Sequence, residues 1–82
     1  PAFFISQRFG TKGPLNTVVT ACAAGTQALG EAVELIRHGY ADMVISGGVE
    51  ALVGHMFFAG FSSMKAISTS NDPPQKASRP FD

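Results

Sequence analysis

The chain has 82 residues, enough for one small domain that buries only about 60–65% of the surface its unfolded form exposes, which excludes a large self-contained enzyme core. Hydrophobic residues make up 45% and charged residues 15%, an apolar excess expected of a piece of a larger core. Six basic and six acidic residues cancel to zero net charge without any run of like sign, so the field that gathers nucleic acid or anionic lipid is missing and both are excluded as partners.

The sequence opens at Pro1 and stops at Asp82, just after Ser78-Arg79-Pro80-Phe81, and is expected to be an internal segment of a longer protein. Its first apolar patch, Phe3-Phe4-Ile5, is far shorter than the roughly 18 residues that span a bilayer. No membrane or secretion segment is expected, and the reading is cytoplasmic. A lone cysteine, Cys22, cannot form an internal disulfide, and no Cys/His cluster has metal-ligand spacing. Neither a metal nor a cofactor is expected.

In chain order, residues 1–13 mix that apolar patch with Gln7, Arg8, Gly10, Lys12 and Gly13, and read as an irregular or partly helical approach ending in a Gly13-Pro14 turn. Residues 15–21, Leu-Asn-Thr-Val-Val-Thr-Ala, are dominated by β-branched side chains and predict a short strand running into Cys22. Ala28, Leu29, Ala32, Val33, Leu35 and Ile36 then recur at three- and four-residue intervals, while Gln27, Glu31, Glu34, Arg37 and His38 take other angles. That spacing predicts an amphipathic helix over 22–38, stopped by Gly39. Met43-Val44-Ile45-Ser46, closed by Gly47-Gly48, reads as a strand buried in a parallel sheet, so the order strand, helix, strand predicts a right-handed βαβ unit. A second helix is predicted over 54–64, and from Ser68 onward Ser-Thr-Ser-Asn-Asp-Pro-Pro-Gln is turn chemistry that no helix can continue.

The stretch that can carry chemistry is Thr20-Ala21-Cys22-Ala23-Ala24-Gly25. It puts the thiol where a strand gives way to a helix, beside unpaired N–H groups and the positive end of the helix dipole, an environment that favours the nucleophilic thiolate. Small neighbours leave room for a carbonyl to approach. The nucleophile elbow of hydrolases does not fit, because a Gly-x-Cys-x-Gly pattern needs glycines at positions that hold Thr20 and Ala24. On residue pattern alone, Cys22 is either an acyl-transfer nucleophile or an inert buried thiol.

The series Thr20-Ala21-Cys22-Ala23-Ala24-Gly25, Gly39-Tyr40-Ala41-Asp42, Gly47-Gly48-Val49-Glu50, Ala59-Gly60-Phe61, Lys65-Ala66-Ile67-Ser68, Asn71-Asp72-Pro73 and Ser78-Arg79-Pro80-Phe81-Asp82 resembles the β-ketoacyl-[acyl-carrier-protein] synthases, most nearly the type II elongating condensing enzymes of bacteria. The likeness runs over about residues 13–82. It implies an α/β, thiolase-like fold with αβαβα layers, residues 1–82 being part of the N-terminal half of a ketoacyl-synthase body. It also implies fatty-acid biosynthesis by an acyltransferase in which Cys22 takes an acyl group from a carrier-protein thioester. A carbanion from decarboxylating malonyl-carrier protein then attacks that group.

The substrates of that family ride on the phosphopantetheine of acyl carrier protein, and its members are homodimers in which the segment matching residues 15–20 pairs across the two-fold axis. Residue by residue, Ala21 and Phe61 match positions lining the acyl-chain pocket, and Phe57 a pocket position that is often small. Ordinary core packing is the competing reading for all three. The family's second oxyanion donor, two catalytic histidines and lysine correspond to positions after Asp82. His38 and His55 do not replace them: His38 falls at a helix end four residues after Glu34, where it caps. Gly25 and Gly30 are read as allowing close packing of the helix, Gly47 and Gly48 as a tight turn near the site, and Arg79 as pairing with a carboxylate. A polyketide ketosynthase shares all these features. A thiol redox sensor or cysteine hydrolase would instead form a reversible sulfenate or act without the condensing partners, and a decoy subunit of the same fold is disfavoured by the presence of Cys22.

Overall fold

A computed structural model describes residues 1–81. In chain order these form helix α1 (Ala2–Phe9), a 3-10 turn (Ala21–Ala23), helix α2 (Ala24–Arg37), helix α3 (His55–Ser63) and a second 3-10 turn (Pro74–Lys76). The chain divides into two units, Pro1–Glu50 and Ala51–Asp82.

In the first unit, the opening segment takes the partly helical of the two forms expected of it, with a two-turn helix over Ala2–Phe9. Gly10, at φ 63, takes the left-handed conformation that releases the chain from α1, a conformation only glycine adopts without a Cβ penalty. The exit is closed by the Thr11 N–H donating to the Ser6 carbonyl at 3.1 Å and by the Thr11 hydroxyl donating to Ser6 Oγ at 2.9 Å. Phe3 and Phe4 meet edge to face at 5.5 Å, yet both stay exposed, as does Phe9.

Helix α2 ends as its glycine demands. Gly39 sits at φ 75, its N–H donates to Ile36 at 3.0 Å and the Tyr40 N–H to Leu35 at 2.9 Å, the paired bonds of a Schellman motif. His38 is the C-cap residue and donates Nδ1–H to the Glu34 carbonyl at 2.8 Å, which is the capping role expected of it. The apolar face of α2 is split. Ala28, Ala32 and Leu35, spaced four and three, are the shielded positions, with Ala32 only 8% exposed. Leu29, Val33 and Ile36, the parallel stripe one residue on, remain open.

The predicted strands at 15–21 and 43–46 are corrected: neither is a strand among the described residues, so the βαβ unit is absent and the described elements are helical. A ladder needs a neighbouring backbone about 4.8 Å away, and a sheet needs about three strands to hold itself together. Locally, Asn16 Oδ1 accepts the Thr17 N–H at 2.8 Å, taking up a donor that a ladder would use. Val19 and Met43, at 84% and 83% exposure, show that this unit does not cover the would-be sheet.

In the second unit, α3 starts from Gly54 and gives way at Met64, the span expected from sequence. Its exit repeats the Schellman bonds, Lys65 N–H to Ser62 and Ala66 N–H to Phe61, both 2.9 Å, but the left-handed residue is Lys65, φ 56. An L-residue there is strained by about 1–2 kcal/mol. Lys65→Gly in the full-length protein is therefore expected to raise unfolding stability by about 0.5–1 kcal/mol after the unfolded-state entropy of glycine is discounted, read as a higher urea midpoint; a lower midpoint contradicts this assignment. From Ser68 the chain is turns, with the Ser70 N–H on Ser68 Oγ at 3.1 Å, as its composition predicts. Asp82 lies outside the described residues.

Candidate active site

Cys22 is the middle residue of the Ala21–Ala23 turn, not the first residue of α2 as expected. Two hydrogen bonds close the turn, Ala23 N–H to the Thr20 carbonyl at 3.2 Å and Ala24 N–H to the Ala21 carbonyl. Neither uses the Cys22 N–H. The helix proper begins after N-cap Ala23 without a side-chain cap, so no hydroxyl or carboxylate competes for the first-turn amides. The backbone reaches this turn through an unusual residue: Ala21 has φ 50, a left-handed conformation that an L-residue adopts at a cost of about 1–2 kcal/mol. Strain of this kind is often held at functional turns. Cys22 is exposed within this segment, as are most of its large side chains.

Two features hold the turn in its unit. Upstream, Asn16 Nδ2 donates to Glu31 Oε2 at 2.8 Å while Gln27 Nε2 donates to Glu31 Oε1 at 2.9 Å, so both oxygens of one α2 carboxylate are occupied and residue 16 is tied to the helix. Downstream, Gly25 in the first turn of α2 meets Gly48 backbone to backbone, a Cβ built on Gly48 falling 3.4 Å from Gly25 Cα. The close packing expected of Gly25 is present, whereas a Cβ on Gly30 would meet nothing within 4 Å. Sequence reasoning missed the Asn16–Glu31–Gln27 clamp. Its only local signal is the Gln27/Glu31 spacing of four.

The other site candidates fall in different units. Ala21 neighbours Cys22 in the first unit, while Phe57 and Phe61 sit one turn apart on α3 in the second, 49% and 39% exposed. The Phe57 ring folds back toward the start of its own helix, its Cδ2 being 3.6 Å from where a Cβ on Gly54 would stand. His55 opens α3, and His38 caps α2, so neither histidine shares the Cys22 turn. An open recess in the second unit, lined by Ser62, Lys65, Ile67, Ser68, Thr69 and Asn71, includes none of the site candidates. No group of three or more His, Cys, Asp or Glu side chains among the described residues could hold a metal ion, and no described helix is long and apolar enough to cross a membrane.

A thiol on a tight turn at a helix start, with small residues on either side, leaves room for a carbonyl to approach it. Residues 2–82 match the family described as Beta-ketoacyl synthase, N-terminal domain, and the chain belongs to that family. It is 53% identical over 73 residues to 3-oxoacyl-[acyl-carrier-protein] synthase 2 of Synechocystis, covering 89% of this chain and 18% of the relative. It is 49% identical over 77 residues to 3-oxoacyl-[acyl-carrier-protein] synthase 2 of Staphylococcus aureus, covering 94% of this chain and 19% of the relative. The chain thus spans less than a fifth of the length of these two relatives.

Proposed function

We propose that this segment carries the acyl-accepting cysteine of a 3-oxoacyl-[acyl-carrier-protein] synthase of fatty-acid biosynthesis. The observation that carries the reading is membership of the ketoacyl-synthase family in a chain whose lone cysteine, Cys22, sits on the Ala21–Ala23 turn directly before α2. In the first half-reaction the Cys22 thiolate attacks the carbonyl of an acyl thioester borne on the phosphopantetheine of acyl carrier protein. A Cys22 sulfur–acyl bond forms, the carrier's sulfur–acyl bond breaks, and the carrier leaves as its free thiol. In the second, malonyl-carrier protein loses carbon dioxide and the resulting carbanion attacks the acyl carbonyl on Cys22. A carbon–carbon bond forms, the bond to sulfur breaks, and the 3-oxoacyl product leaves on the carrier with two more carbons.

Within this scheme the Cys22 N–H donates to the oxyanion that develops at the acyl carbonyl. The chemistry needs neither metal nor redox cofactor. In the longer protein, residues 15–20 and 43–46 become strands of a thiolase-like αβαβα body, with the first pairing across the two-fold axis of a homodimer. The open stripe of Leu29, Val33 and Ile36 supports this, since an amphipathic helix leaves such a stripe bare only when another layer covers it. The test is a reconstituted assay on the full-length protein in a cytoplasm-like reducing buffer. Acyl- and malonyl-carrier protein should yield the two-carbon-longer 3-oxoacyl-carrier product with release of one carbon dioxide, and absence of that product with every acyl length offered contradicts the reading.

Ala21, Phe57 and Phe61 are assigned to the lining of the acyl-chain pocket. A bulky Phe57 shortens the space open to the chain, so Phe57→Gly is expected to shift the preferred acyl primer to longer chains. Each methylene newly accommodated is worth about 0.8 kcal/mol, or roughly fourfold in kcat/KM. An unchanged chain-length profile in a folded variant removes Phe57 from the pocket.

A further inference from the structure

Among the glycines of the first unit, Gly25 and Gly48 are the two whose nearest neighbours are each other. A Cβ on Gly25 would lie 3.8 Å from Gly48 Cα and 3.9 Å from Gly48 N, and one on Gly48 would lie 3.4 Å from Gly25 Cα and 3.9 Å from Gly25 N. Added carbons at Gly10, Gly13, Gly30, Gly39 and Gly47 would meet nothing within 4 Å. Gly25 lies in the first turn of α2, which follows without a break from the 3-10 turn bearing Cys22. The segment after Ser46 therefore touches the helix start at bare backbone. The Asn16–Glu31 bond at 2.8 Å ties the segment before the turn to a later turn of the same helix.

We propose that the Gly25–Gly48 contact is the seat that fixes the depth and direction of the α2 start, and that Gly48 is a positioning residue for Cys22 although it touches no reacting atom. One methyl fits on either side, because 3.4–3.8 Å is ordinary van der Waals contact. Two methyls compete for the same gap, since the nearest atom to each is the other residue's Cα. The helix start must then lift, and displacement of a reacting group by about 1 Å costs on the order of 100-fold in rate.

This inference rests on the functional reading above, and the experiment separates the two. Full-length parent, Gly25→Ala, Gly48→Ala, the double variant and Gly30→Ala as an open-space control are compared in three measurements. These are the maximum rate of Cys22 acylation by acyl-carrier protein, the KM for that donor, and the rate of Cys22 alkylation by iodoacetamide. Each single variant is expected to lose less than about threefold in acylation, and the double about 10- to 100-fold with KM little changed, well beyond the product of the singles. Gly30→Ala should stay at the parent rate. A folded double variant whose loss is merely the product of the singles overturns the proposal. If the double does not fold, Gly48→Ser is read in the same way: a loss of about three- to tenfold at unchanged KM supports the seat, and the parent rate overturns it. If the parent forms no acyl adduct, the functional reading fails. The seat is then judged by iodoacetamide rates alone, where coupling between the two sites supports it and additivity overturns it.

Discussion

Cys22→Ala in the full-length protein is expected to abolish acylation and to lower condensation by about 10⁴-fold or more, since a covalent route has no residual path once its nucleophile is gone. The substitution leaves the turn's two closing hydrogen bonds intact, because Ala23 to Thr20 and Ala24 to Ala21 are backbone bonds. Alanine also suits a 3-10 turn leading into a helix. Stability should therefore change little, and the urea midpoint of the variant serves as the control. Wild-type condensation by a folded Cys22→Ala protein would place the acyl-carrying group elsewhere.

The isolated 82-residue chain is expected to show no cooperative thermal or urea transition and to bind hydrophobic dyes. A folded monomer of 8.6 kDa exposes about 4,700 Å² by the usual scaling with mass. This chain exposes 7516 Å², an excess of about 2,800 Å² over that expectation. Among the described residues Ala32 is the one buried hydrophobic side chain, whereas Phe3, Phe4, Leu29, Val53, Met56 and Phe58 stand open. An interior of one alanine cannot offset the conformational entropy of ordering the backbone, roughly 1–2 kcal/mol per residue. Adding the rest of the protein should restore a sharp transition. A steep, two-state unfolding curve with near-ultraviolet dichroism from the chain alone would mean that its own contacts suffice.

What the sequence made legible is what is decided locally. The end of α2 was readable because Gly39 is the cheapest left-handed residue, and the span of α3 because Gly54 and the turn-rich stretch after Met64 bracket it. Cys22 at the junction before α2 was visible from the change in residue type around it. The strands expected at 15–21 and 43–46 do not form among the described residues, since β propensity reports fit to a neighbouring strand and a pleated surface. The described residues provide neither neighbour. The left-handed turns at Ala21 and Lys65 had no signature at all, because neither residue type favours that region and the local bonds decide it. Of the two glycines read as packing sites in α2, Gly25 meets Gly48 and Gly30 meets open space. The pair 25/48 could not be matched from sequence, since it depends on where the chain returns after Ser46.

The central claim is that the sulfur of Cys22 holds the growing acyl chain between the two half-reactions. It is tested most directly by mixing full-length protein with acyl-carrier protein in the absence of the malonyl donor, quenching in acid, and mapping the modified peptide by tandem mass spectrometry. The account predicts one acyl mass on the peptide containing Thr20-Ala21-Cys22-Ala23, lost on treatment with neutral hydroxylamine as a thioester is. An acyl group found on any other residue, or an unmodified Cys22 in protein that still turns over, contradicts it.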